Sequence, residues 1–99
     1  MSANNTPTLG VDHAMRLLGR NRLQPLMDKG SAVRKWTLSW VAEVRNAQWA
    51  SAADVLYQFP NLFQENDIFV FPVFSCTTSI VVILTFPQQL ALVTALRSA

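Results

Sequence analysis

The sequence predicts an α+β fold in which two to three N-terminal helices pack on a three-stranded antiparallel sheet. Three observations lead there. Apolar residues before Pro60 recur at helical spacing; from Ile68 onward they form short runs rich in β-branched and aromatic side chains; and the two patterns are segregated along the chain instead of alternating. A chain of 99 residues accommodates one core and one domain, expected over 9–99 after a disordered start at 1–8.

The elements follow in order. Val11, Ala14, Met15 and Leu18 have helical spacing, which predicts a first helix from Val11 to about Leu23. Pro25 either ends that helix or opens another short turn, because proline lacks an amide and clashes with the turn before it. Gly30 reads as a stop and Ser31 as the N-cap of a second helix. In that helix Val33, Trp36, Trp40, Val44 and Ala47 form one apolar stripe, and Arg34, Lys35 and Arg45 lie off it on a solvated face. Ser51-Ala-Ala-Asp54 resembles a capping signal for a third, short helix carrying Ala52, Val55, Leu56 and Phe59, which Pro60 stops. Asn61 to Asp67 is a polar connector, and three strands follow with turns near Ser75–Thr78 and Pro87–Gln89. Pro72 removes a ladder donor, so the first strand is expected at an edge or bulged there.

Composition excludes a solvated tail: 51% of residues are apolar and only 14% charged, against about 25% charged in ordinary soluble domains. The net charge is +2, yet Ile68 to Leu96 carries no formal charge at all. That stretch is long enough to span a bilayer. Pro72, the polar block Ser75–Ser79 and the break at Pro87-Gln88-Gln89 divide it into strand-length runs, so no membrane association is expected. The lone Cys76 has no partner for an intramolecular disulfide and suits a reducing, cytoplasmic location. One cysteine and one histidine, His13, fall short of a metal ligand set, and nothing implies a cofactor.

The strands are apolar at nearly every position, so both faces of the sheet need cover. A protein interface is expected at Phe69, Phe71, Val73, Val81 and Ile83, formed with a partner or a second copy unless the N-terminal segment wraps around. Arg16, Arg20, Arg22, Lys29, Arg34 and Lys35 place six of the eight cations within one short stretch, a candidate site for nucleic acid or an acidic partner. On the predicted first helix Arg16 and Arg20 stand one turn apart, as a phosphate clamp requires. Trp36, Trp40 and Trp49 read as core, and Glu43 and Asp54 as surface or capping acids. A nucleophilic Cys76 would need His13 beside it. No catalytic set emerges.

The run Val44-Arg-Asn-Ala-Gln-Trp49, then Ser51-Ala-Ala-Asp54-Val55, Phe59-Pro60 and Phe69-Val-Phe-Pro-Val73, resembles HigB-type toxins of the RelE superfamily. Those proteins carry an aromatic-ended second helix, a short Ser/Pro-x-x-Asp/Glu-Val/Leu helix, a Phe-Pro or Tyr-Pro stop and a Val-Phe-Asn-Ile/Val strand. The register continues through Ser79-Ile-Val-Val-Ile-Leu-Thr-Phe86, Gln89 and Leu92-Val93, so the likeness covers roughly Ser31 to Arg97.

The resemblance implies a RelE-like fold and a ribosome-dependent mRNA endonuclease held by an antitoxin, with cations at the scissile phosphate. The chain departs from that pattern where the chemistry lies. Ser79 stands where an arginine is expected, Thr94 where another is common, and a His-x-x-Tyr-Asp-like segment would begin only near Ala99. The expectation is a HigB/RelE-like scaffold without ribonuclease activity that binds a macromolecular partner, an antitoxin or a target complex, or pairs with itself. Two alternatives are an active mRNA interferase of a toxin–antitoxin pair, with RNA as its ligand, and a mobile-element-borne inhibitor of a nucleic-acid-processing defence complex.

Overall fold

The computed structural model describes residues 14–74 and 76–98; the expected disordered start at 1–8 and His13 lie outside them. The fold is α+β, with helices on one face of a sheet. The sheet, however, has five strands and is mixed. In chain order the elements are β1 (Arg16–Leu18), a 3-10 turn (Arg20–Leu23), α1 (Gln24–Met27), α2 (Ser31–Asn46), α3 (Ala52–Gln58), β2 (Phe63–Glu65), β3 (Ile68–Pro72), β4 (Thr78–Thr85) and β5 (Leu90–Ser98). The strands lie in the order β1-β5-β4-β3-β2, with β1 parallel to β5 and every other pair antiparallel.

Two strands replace elements that the sequence predicted otherwise. Arg16–Leu18 is not helical: the Arg16 amide donates to the Gln89 carbonyl at 2.8 Å, and Leu17 and Leu18 pair with Ala91 and Leu92. Met, Arg and Leu are good helix formers, so local propensity misleads here and a sheet edge overrides it. Phe63–Glu65, read as connector, forms a hairpin with β3 through Asn66, whose φ of 56° supplies the left-handed turn residue. Strand β3 is therefore internal over Ile68–Val70. Beyond Phe63 its outer side lacks a strand, and Pro72 sits in that open part, where a missing donor costs no ladder bond.

The longest helix carries the apolar stripe as expected. Val33, Trp40, Val44 and Ala47 are buried and Trp36 is half-buried, joined by Thr37 and Val41. Thr37 is accommodated because its hydroxyl donates to the Val33 carbonyl at 2.8 Å. The N-cap is Gly30, not Ser31, with φ 113°. Ser51 caps α3 with its backbone only; the side-chain bond comes from Asp54, whose carboxylate accepts the Ala50 amide at 2.8 Å. Pro25 lies in the first turn of α1, where its missing amide is harmless.

Helix residues meet Phe69, Phe71, Val73, Ile80, Val82, Leu84, Ala91 and Val93 in one core. A relay of edge-to-face rings crosses it: Trp49 on Phe59 at 6.1 Å, Phe59 on Phe71 at 5.1 Å and Phe71 on Trp40 at 5.3 Å. Each such pair adds about 0.5–1.5 kcal/mol to area burial.

Candidate interaction surfaces

Strand alternation decides what each side of the sheet offers. On β4, Ile80, Val82 and Leu84 point at the helices, so Ser79, Val81, Ile83 and Thr85 point away. Register extends this outer face: Leu18, Leu92, Ile83 and Ile68 stand in one row, and Ala95, Val81, Val70 and Phe63 in the next. The change of pairing at Val81/Val82 leaves Thr94 as an extra residue, its hydroxyl donating to the Val81 carbonyl at 3.3 Å. Val70 and Val81 in the middle of this face are buried and Ile83 is half-buried. Leu18, Ile68, Leu92 and Phe63 are exposed, Phe63 to 60%.

The expected interface residues therefore separate. Phe69, Phe71 and Val73 belong to the core and are unavailable to a partner, since their parity turns them toward the helices. Val81 and Ile83 lie on the outer face, but Val81 is buried there and Ile83 only half-exposed. The residues missed there are Leu18, Phe63, Ile68 and Leu92. Their signal was an apolar strand with no second helical layer to cover it, but only the register shows which half of each run faces out.

A second surface lies where β1, the end of α2 and the β4–β5 turn converge. The Met15 amide donates to the Ala47 carbonyl at 3.1 Å, tying the start of β1 to the end of α2, while Arg16 is tied to Gln89. Gly19, with φ 82°, then folds the chain closely over Val93 and directs Arg20 into the 3-10 turn. The outcome is a depression of about 520 Å³ lined, among the described residues, by Arg16, Arg20, Arg45, Gln88 and Gln89 together with Ala14, Met15 and Leu17.

Of the predicted basic set, Arg16 and Arg20 share this depression, although on a strand and a 3-10 turn instead of one helix face. Arg45, read as merely solvated, completes it. Arg22 is exposed on the same turn but outside the lining, and Lys29 is exposed beyond α1. Arg34 and Lys35 are exposed near the start of α2, about 15 Å from Arg45 along the helix. The six cations thus form no single patch.

The acids have structural partners. Besides Asp54 as a cap, Glu43 accepts from the Gln58 amide at 3.2 Å, and the Gln58 carbonyl oxygen accepts the Trp49 indole N–H at 3.1 Å. Gln89 donates from Nε2 to both Trp49 and Phe86 carbonyls at 2.7 Å. Cys76 is half-buried, with its thiol 3.9 Å from the Thr78 carbonyl; the possible pairing with His13 falls outside the described residues. Among the described residues no group of three potential metal ligands occurs, and no helix is long and apolar enough to cross a membrane.

No family model matches the chain, and no curated protein matches it.

Proposed function

We propose that this chain is a HigB/RelE-toxin-like scaffold that has lost ribonuclease activity and acts by binding a macromolecular partner, a protein that lays an apolar surface on the outer sheet face. The observation that carries this reading is the chemistry of that face. Leu18, Leu92, Ile68 and Phe63 are exposed on it around the half-buried Ile83, and apolar surface of this kind marks interaction sites.

The family part of the reading draws support from where the quoted residues fall. Val44–Asn46 end α2 and Trp49 lies three residues beyond it, Asp54-Val55 lie in α3, Phe59-Pro60 follow it, Phe69–Pro72 lie in β3, and Gln89 occupies the turn before β5. The loss of nuclease chemistry is supported by Ser79, which lies on the outer face where the resemblance implies an arginine. From Ile68 to Ser98 the single formal charge is Arg97, in register with Ser79. One guanidinium without an acid–base pair is a poor phosphodiesterase.

Two measurements test the proposal. Purified protein added to translating ribosomes should leave mRNA intact, and its expression should not arrest growth; mRNA cleavage would establish the interferase reading instead. A partner co-purifying at fixed stoichiometry should be lost from Ile83→Asp and Leu92→Asp but kept by Arg97→Gln. Retention by both aspartate variants overturns the sheet-face assignment.

A further inference from the structure

We infer that the outer sheet face pairs with a second copy of this chain around a two-fold axis parallel to the strands, an assignment that rests on the sheet-face reading above and names its occupant. The charges on the face carry it. Leu17 packs against the core, so its neighbours Arg16 and Leu18 face outward on β1; Phe69 is buried, so Ile68 and its register partner Glu65 face outward on the other side of the sheet. Arg16 thus stands on one edge strand and Glu65 on the opposite one, four strand spacings or about 19 Å apart. Both are exposed, and neither makes an ion pair with a described residue. Between them the face carries no formal charge; Arg97 lies at its far end, in register with Ser79.

A face with a cation on one edge and an anion on the other is complementary to itself, as a two-fold interface requires. The positions of the charges select the axis. Rotation about a line along β4 lays β1 over β2 of the second copy and β5 over β3, and it keeps the strands aligned as in packed sheets. Leu92 then meets Ile68 of the second copy, Ile83 meets its own equivalent, and Arg16 comes within one pleat of Glu65 of the second copy, a step its long side chain spans. Symmetry makes that pair twice. An axis across the strands would instead set β1 on β1 and bring Arg16 against Arg16. The exposed apolar positions obey the same symmetry, with Leu18 and Leu92 on one side of β4 and Ile68 and Phe63 on the other. Five strands at about 4.8 Å spacing, over the roughly 20 Å from Ser79 to Thr85, offer about 500 Å² a copy and about 1,000 Å² together, which reaches the size of a specific interface.

The test is sedimentation equilibrium of the full chain over a range of concentrations. Wild type should follow a monomer–dimer equilibrium. Arg16→Glu and Glu65→Arg each set like charges together at two points and should weaken the dimer roughly tenfold, and combining them should restore it to within about threefold of wild type. Within one copy the two groups are too far apart, at about 19 Å, for either to rescue the other. Ile83→Asp should give a monomer, and Arg34→Gln, on α2, should leave the dimer unchanged. Circular dichroism of each variant establishes that the fold is kept. A wild type that is monomeric at every concentration overturns the inference, as does a dimer that Ile83→Asp or both single charge reversals leave intact, or that the double reversal fails to restore. The sheet-face reading fails separately: a monomeric chain whose co-purifying partner is lost from Ile83→Asp and Leu92→Asp keeps that reading and gives the face to a different protein.

Discussion

A β-carbon placed on Gly19 would lie 2.5 Å from the Val93 carbonyl oxygen. This closeness packs the 3-10 turn against β5 and brings Arg20 to the same depression as Arg16. The contact is with backbone, which cannot rotate aside, and the φ of 82° is itself costly for an L side chain. Gly19→Ala should therefore lower stability by about 2–4 kcal/mol in urea denaturation. Gly30, with φ 113° but nothing within 4 Å, isolates the backbone part: Gly30→Ala should cost about 1–2 kcal/mol.

Trp40 is nearly fully buried, packed edge-to-face on Phe71, and its indole N–H has no acceptor among the described residues. An unpaired buried donor costs about 1–3 kcal/mol. Trp40→Phe removes it while retaining an aromatic contact, so its stability should stay within about 1 kcal/mol of wild type, whereas Trp40→Ala should lose about 3–5 kcal/mol. Thermal and urea unfolding of the two variants measures the difference. Equal losses would show that the aromatic contact kept by phenylalanine contributes nothing at this site.

Gln89 joins the β4–β5 turn to the segment after α2 through its two bonds to Trp49 and Phe86. Its φ of 53° adds a backbone requirement. Gln89→Ala loses both bonds and keeps the strain, and should cost about 2–3 kcal/mol; Gln89→Gly loses the bonds but relieves the strain, and should cost less. The order of their denaturation midpoints checks this.

The two faces of β3 offer a direct comparison. Ile68 is exposed on the outer face and Phe69 is wholly buried on the inner one. Ile68→Lys should change stability by less than about 1 kcal/mol and raise the solubility limit, while Phe69→Lys should abolish cooperative unfolding. A near-neutral Phe69→Lys would mean that the register of β3 is shifted by one residue.

Legibility followed the length over which a pattern repeats. The α2 stripe and the three long strands were readable because Val33, Trp40 and Val44, or Ile80 to Leu84, repeat one environment over several turns or pleats. Strands β1 and β2, three residues each, repeat nothing, and β1 is built of helix-forming residues. The arginine site was half legible. Arg16 and Arg20 stood out as neighbours in a basic stretch, but Arg45 joins them through folding alone.

The sequence by itself determined the segregated α+β class, the buried helix stripe, the Pro60 stop and the near absence of charge in the sheet. These depend on local periodicity and composition, which need no knowledge of distant contacts. Tertiary structure decided the five-strand order, the burial of Phe69, Phe71 and Val73 against the exposure of Ile68 and Leu92, and the meeting of Arg45 with Arg16 and Arg20. Each of those rests on register or on backbone hydrogen bonds between residues far apart in the chain, and a one-residue change in pairing would exchange the buried and exposed sides of β3.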